Sequence, residues 1–87
     1  MVSFKVNSKT KLLEAIQRHP AQVRFADACK AAGLLGFVHA GGKGSHRSFA
    51  RTGEPVGLNF QNRNGFVPPY QARQLVELIV KYQGSAE

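Results

Sequence analysis

The sequence predicts an α+β domain in which helices cover one face of a three-stranded antiparallel sheet. The chain has 87 residues, the size of a single domain with a small core. Apolar residues recur at helical spacing near both ends of the chain, and they alternate with polar residues in three short segments between. Helices on one side leave the other face of such a sheet to solvent or to a partner.

The N-terminal part of the chain predicts two helices. Met1 to Asn7 is expected to be either a short edge strand or an irregular start. Ser8 is suited to cap a first helix that ends near His19. A second helix is predicted over residues 21–32, and Gly33 is expected to end it in a left-handed cap. Its apolar face follows the i, i+3, i+4, i+7 spacing and comprises Phe25, Ala28, Cys29 and Ala32.

Three strands and a last helix follow. The strands are predicted at residues 34–40, at residues 46–51, and where Val56, Leu58 and Phe60 alternate with smaller or polar residues. The last helix is predicted from Pro69 to about Gln83, with a frayed tail over residues 84–87. Apart from the extra first helix, this is the element order of the double-stranded-RNA-binding fold. A single domain over residues 1–87 is therefore expected.

The charge of the chain points to a polyanionic partner. Twelve Lys and Arg residues outweigh five Asp and Glu residues, which gives a formal net charge of +7. A basic face concentrates polyanions, and the phosphates of nucleic acid are the commonest of these. The single cysteine, Cys29, excludes an intrachain disulfide and is expected to be a small buried hydrophobe. No apolar run is long enough for a signal peptide or a membrane span, so we expect a cytoplasmic protein without a membrane contact.

Gly41 to Arg51 is the candidate site, because it combines a glycine-rich turn, one imidazole and three cations without any acidic residue. His46, at the start of the second strand, can accept or give a proton near neutral pH. The spacing does not fit a nucleotide-binding P-loop. The alternative is a strand histidine with one hydrogen bond and cations that only solvate the sheet. The predicted phosphate contacts are the side chains of Lys43, Arg47 and Arg51 and a nest of backbone amides that includes Gly44 and Ser45.

Other candidate residues are less distinctive. His39, on the neighbouring strand, is either a second acid/base group or a packing residue. The polar loop from Asn59 to Asn64 offers amides and Arg63 for hydrogen bonds to bases or sugars, or is simply solvated. Histidines and carboxylates are scattered, so neither a metal site nor a carboxylate pair is expected. If Phe49 is buried, His46 shares the open face of the sheet with Ser48 and Ala50.

Several motifs together resemble the HicA family of bacterial toxins. Gly44 to His46 matches its histidine motif, and Leu58 to Gln61 and Pro69 to Gln74 match stretches found in one branch of HicA-like proteins. The likeness spans roughly residues 8–82. It implies a double-stranded-RNA-binding-like fold, cleavage of messenger RNA without an organic cofactor, and inhibition by a HicB antitoxin. On this resemblance, His46 is the functional histidine.

Two departures from the family pattern bear on the site. Arg47 stands where many members carry a second histidine, and an arginine cannot act as a base at neutral pH. The basic loop usual after the third strand is replaced by the less charged residues 61–65. A non-catalytic RNA-binding module is the main alternative function. A module that binds an acidic protein, and never RNA, is the other.

Overall fold

The computed structural model describes residues 8–84 and confirms an α+β fold with a three-stranded antiparallel sheet. The predictions for residues 1–7 and 85–87, and for a cap by the Ser8 side chain, lie outside the described part. The helices are α1 (Ser8–Arg18), α2 (Phe25–Leu34) and α3 (Pro69–Gly84), with a 3-10 turn over Pro20–Gln22. The strands are β1 (Val38–Gly41), β2 (His46–Ala50) and β3 (Leu58–Gln61).

The sheet has the order β1-β2-β3, and its register assigns each side chain to a face. Phe49 lies opposite Leu58, and Arg47 lies opposite Phe60. Because side chains alternate along a strand, these four residues share one face. The register between β1 and β2 shifts between His39 and Gly41, which is a β-bulge.

The helices lie on the face that carries Phe49, Leu58 and Phe60. Helices α2 and α3 both contact β3, and α1 packs against α2 and α3 rather than on the sheet. Leu58 and Phe60 are almost completely buried, as are Leu75 and Ile79 of α3. The other buried apolar residues of the core are Leu13, Ile16, Val23, Ala28, Ala31, Ala32, Leu35, Phe37, Val67, Ala72 and Leu78.

Helix α2 begins later than predicted, at Phe25, because the residues before it pair with a distant segment. The Val67 amide donates to the Val23 carbonyl at 2.9 Å, and the Phe25 amide donates to the Gly65 carbonyl at 2.9 Å. Residues 23–25 therefore lie antiparallel to residues 65–67, with a bridge between Arg24 and Phe66. This pairing holds them extended, so the predicted start at residue 21 was wrong.

The end of α2 also differs from the prediction. Gly33 lies within the helix, and the left-handed residue is Gly36, with φ +90°. The Phe37 amide donates to Ala32 and the Gly36 amide donates to Gly33, which is the Schellman arrangement. Residues 34–37 therefore end the helix, and the first strand starts at Val38 rather than at residue 34. Phe37 is nevertheless buried in the core.

The connection between β2 and β3 is fastened to the last turn of α3. Glu54 accepts hydrogen bonds from Lys81, at 2.7 Å, and from the Tyr82 hydroxyl, and its side chain is only 1% exposed. These hydrogen bonds, that from Lys81 first, lower the pKa of the Glu54 carboxyl to about 2. The backbone amide of the exposed Val56 donates to Glu54 Oε2 at 3.0 Å, so Val56 belongs to this connection, and the third strand begins at Leu58 rather than at Val56.

Candidate nucleic-acid interface

The open face of the sheet carries His46. Because Phe49 is buried, the alternation of β2 places His46, Ser48 and Ala50 on the opposite face. The register adds Gln61, opposite His46, and Asn59, opposite Ser48. This confirms the conditional expectation that His46 shares the open face with Ser48 and Ala50.

Side chains on this face lie close to their cross-strand partners. The Asn62 amide donates to the Ser45 carbonyl at 2.8 Å, so the alternation of an antiparallel ladder makes His46–Gln61 and Ser48–Asn59 non-hydrogen-bonded pairs. Such pairs have the shortest Cα separations. The Ser48 hydroxyl donates to Asn59 Oδ1 at 2.6 Å. The face therefore presents one imidazole beside uncharged hydrogen-bonding groups.

The glycine-rich turn fixes the backbone at His46. Gly42 has φ +79° and Gly44 has φ +66°, conformations that side chains disfavour. A Cβ atom on Gly42 would lie 2.5 Å from the carbonyl oxygen of His46. The His46 amide donates to the Lys43 carbonyl at 3.3 Å. The turn thus folds back on the backbone of His46, the first residue of β2. The side chains of Lys43, Ser45 and His46 are all exposed.

The structure separates two of the predicted phosphate-binding cations from His46. Arg47 lies on the helix-covered side of the sheet, where its guanidinium is 5.9 Å from the centre of the Phe25 ring. Arg51 lies 3.6 Å over the Tyr82 ring and donates to the Leu35 carbonyl at 3.1 Å. Both guanidinium groups therefore have packing partners away from the imidazole.

Arg63, in contrast, connects to the His46 side of the sheet. Its Nη2 donates to Gln61 Oε1 at 3.3 Å, and Gln61 is the residue opposite His46. The backbone amide of Gln61 donates to Oε1 of the buried Gln71, at the start of α3. Gln61 is thus held between the last helix and Arg63.

The polar loop predicted from Asn59 to Asn64 is only in part a loop, because residues 59–61 belong to β3 and residues 63–66 form a tight hairpin turn. Arg63 and Phe66 exchange backbone hydrogen bonds of 2.8 and 3.0 Å, and the two residues between them, Asn64 and Gly65, have φ of 53° and 93°. Positive φ at both central residues is the type I′ geometry, and Asn-Gly is its preferred sequence. Asn62 Oδ1 accepts from the Gly65 amide at 2.6 Å. The Asn-Gly dipeptide was the signal from which this hairpin was predictable.

This turn extends the open face beyond β3. Arg63 is two residues past Gln61, so the two share a face, and Phe66 pairs first with Arg63 and then with Arg24. Val23 and Val67, which alternate with Arg24 and Phe66, are buried on the core side. The Arg24 guanidinium lies 5.3 Å from the centre of the Phe66 ring. Neither Arg24 nor Phe66 was predicted from the sequence to belong to this surface.

Two other candidates lie away from His46. His39 pairs with Phe49 on the helix side, and their ring centroids are 5.8 Å apart, so its imidazole does not meet His46. Cys29 is half-buried, and burial raises the pKa of its thiol despite the opposing effect of Arg47. Both residues therefore pack against the fold rather than complete the site.

Within residues 8–84, no three His, Cys, Asp or Glu side chains are grouped so that they can hold a metal ion. In the same range, no helix is long and apolar enough to span a membrane.

The charges of the open face are not neutralised within the described residues. The one salt bridge in that part of the chain joins Glu54 to Lys81, and it involves neither Arg24 nor Arg63. Fold and site together define a small basic α+β domain whose uncovered sheet face carries an exposed histidine and arginines. Comparison of the chain with protein-family models, curated proteins and solved structures found no match.

Proposed function

We propose that the protein is a toxin endoribonuclease that cleaves messenger RNA and is silenced by a HicB-type antitoxin. The observation that carries the proposal is the position of His46, exposed on an uncovered sheet face at the end of a fixed glycine turn. The net charge of +7 and the likeness of residues 8–82 to HicA toxins support it. The site of action is the cytoplasm, where messenger RNA is found.

In the proposed reaction, His46 moves a proton at the scissile phosphodiester. It takes the proton from the ribose 2′-hydroxyl, takes it from an attacking water, or gives one to the departing 5′-oxygen. In the first case the 2′-oxygen bonds to phosphorus, the bond to the 5′-oxygen breaks, and a 2′,3′-cyclic phosphate remains. Lys43 and Arg63 supply the positive charge that binds phosphate and stabilises its transition state. No metal or organic cofactor is part of the proposal.

The sequence position of the family's second histidine does not serve this site, because Arg47 lies on the other side of β2. Within residues 8–84, His46 is the only histidine on the open face. The other proton transfer of the reaction is therefore assigned to solvent. An antitoxin inhibits the enzyme by covering His46 and the cations around it. Its matching surface is acidic or rich in hydrogen-bonding groups, because those groups complement the exposed side chains.

Cleavage of a long single-stranded RNA in EDTA tests the proposal, with the native chain and His46→Ala. His39→Ala is the matched control, because it removes an imidazole from the neighbouring strand on the opposite face. Native protein and His39→Ala are expected to fragment the RNA, and folded His46→Ala is expected to leave it intact. Cleavage by His46→Ala at the native rate would show that His46 is not the catalytic residue. A 2′-deoxy substitution at the cleaved position then tests whether the 2′-hydroxyl is the nucleophile.

A non-catalytic RNA-binding module is the second candidate. It is favoured by the separation of His39 from His46, since metal-free ribonucleases often use two acid/base groups. A pure binder shifts the mobility of RNA and leaves its length unchanged, so the same reactions distinguish the two functions.

A further inference from the structure

We infer that Arg24 and Phe66 form a nucleotide subsite for single-stranded RNA, beside the surface that carries His46. In this subsite, an RNA base a few nucleotides from the cleaved bond stacks on the Phe66 ring and the Arg24 guanidinium. The adjacent phosphate is bound by Arg24 and Arg63. The inference rests on the proposed function, because it takes RNA as the ligand.

The surface between His46 and this pair is continuous. His46 lies opposite Gln61, and the Gln61 side chain accepts a hydrogen bond from Arg63. Phe66 forms backbone bridges to both Arg63 and Arg24. The alternation of side chains places all five on one face of the extended sheet. Three strand spacings, and a two-residue step along the chain from Gln61 to Arg63, separate His46 from Arg24, on the order of 16 Å. A single strand bound at His46 therefore meets this pair with a nucleotide a few positions away.

The chemistry of Arg24 and Phe66 suits a nucleotide. The Phe66 ring is 37% exposed and lies 5.3 Å from the Arg24 guanidinium. Unpaired RNA bases stack on aromatic rings and on arginine planes, and the same arginines bind the backbone. Neither Arg24 nor Arg63 forms a salt bridge with a carboxylate of residues 8–84. Exposed cations beside an exposed ring are complementary to a nucleotide, which has both a charge and a flat face.

Arg24 and Phe66 are held in place before any ligand binds. The Asn64–Gly65 turn fixes Arg63 against Phe66, and two backbone hydrogen bonds of 2.9 Å join residues 23–25 to residues 65–67. Val23 and Val67 anchor the same two segments in the core. Little conformational entropy is therefore lost when RNA binds to this part of the surface.

The test uses His46→Ala as the background, so that RNA is not cut during the measurement. The probe is a fluorescein-labelled oligoadenylate of about ten nucleotides, within the range that one binding domain covers. Fluorescence anisotropy measures its Kd at several salt concentrations. Each variant is first checked for a native circular-dichroism spectrum and melting curve.

Phe66→Leu keeps an apolar side chain and removes the stacking ring, so it is expected to raise Kd about tenfold, as for the loss of one base stack. Phe66→Trp keeps an aromatic ring and is expected to bind with the affinity of the parent. Arg24→Gln, which changes an exposed side chain, is expected to weaken binding and to reduce the salt dependence by about one phosphate contact. Lys30→Gln, at an exposed position of α2 on the helix side of the sheet, also removes one positive charge; it is the control and is expected to change Kd less than about twofold.

Three results would overturn the subsite. Unchanged affinity in both Phe66→Leu and Arg24→Gln, with binding by the His46→Ala parent intact, refutes it and leaves the ribonuclease proposal standing. If Phe66→Leu and Phe66→Trp both lose affinity for the RNA, Phe66 acts through packing and not through stacking on a base. Absence of RNA binding by the parent at low salt removes the proposed function and the subsite together.

Discussion

Substitution of Gly42 tests whether the glycine turn positions His46. Gly42→Ala adds a Cβ atom that would lie 2.5 Å from the His46 carbonyl oxygen, in a residue with φ +79°. Gly53→Ala is the matched control, because Gly53 has φ +84° but nothing within 4 Å of an added Cβ. Both variants force a side chain into the left-handed region, but only Gly42→Ala also collides with the backbone of the candidate catalytic residue.

The expected sizes follow from these two geometries. The left-handed strain costs about 1–2 kcal/mol of unfolding free energy in either variant. Real Cβ atoms essentially never approach within 3.0 Å, so in Gly42→Ala the 2.5 Å gap must widen by about 0.5 Å. A 1 Å misplacement of reacting groups costs about 100-fold in rate, so a shift of half that size predicts about a tenfold slower cleavage. Gly42→Ala should also be the less stable variant, because the collision adds to the strain.

Single-turnover cleavage of a labelled RNA measures the rate, and urea unfolding measures the stability of each variant. Gly53→Ala is expected to cut at the native rate, since its turn lies outside the candidate site. Equal rates for Gly42→Ala and Gly53→Ala, with both folded, would show that contact between the turn and His46 does not position the imidazole. Slow cleavage by Gly53→Ala would mean that loss of stability, rather than displacement of His46, controls the rate.

Three further predictions concern stability. The pKa of Glu54 is lowered from 4.5 to about 2, so its interactions stabilise the fold fully above pH 4.5 and are lost as the pH falls towards 2. Glu54→Gln should therefore lower the melting temperature at pH 7, and its difference from the native protein should vanish near pH 2. Phe60→Ala should cost about 3–5 kcal/mol in urea unfolding, because the ring is fully buried, and a loss below about 1 kcal/mol would contradict this packing. Gln71→Leu should cost about 1–3 kcal/mol, because the Gln61 amide loses its 2.8 Å acceptor; an unchanged unfolding midpoint would show that this bond is dispensable.

The elements that depend on local pattern were predictable from the sequence. Leu58 and Phe60 alternate with polar residues, and they form the buried side of β3 as expected. The stripe of α3 that includes Leu75 and Ile79 follows helical spacing and is buried. Pro69 begins that helix, as its fixed φ favours. In each case the residue that decides the structure lies within a few positions of the residues it affects.

The errors arose where a distant segment decides the conformation. Residues 21–24 were predicted to be helical, but residues 23–25 pair with residues 65–67, about forty positions away. No periodicity in either segment reports such a pairing. The end of α2 was misplaced for a different reason, because Gly33 and Gly36 are both suited to a cap and the choice depends on how Phe37 reaches the core.

The candidate site was predictable in part. The local pattern predicted that His46 starts the second strand, and His46 does begin β2, where it is exposed on the open face. Arg47 and Arg51 were predicted to bind phosphate beside His46 because they are close to it in sequence, but their guanidinium groups do not lie beside it in the fold. Strand alternation places Arg47 on the other side, and Arg51 lies past the end of β2 against Tyr82. Arg24 joins the surface only through the hairpin turn, so its place depends on tertiary structure.

The β-bulge in β1 has a consequence for how readily the edge of the sheet can pair with another molecule. An uncovered sheet with a straight edge is a template for pairing with the sheet of another molecule. Here β1 has only four residues and its register is interrupted between His39 and Gly41, although Val38 on it is 66% exposed. At the other edge, Gln71 occupies the Gln61 amide. Within residues 8–84, the face can therefore stay open to a ligand while β1 and β3 offer only short runs of free backbone hydrogen-bonding groups at their outer edges.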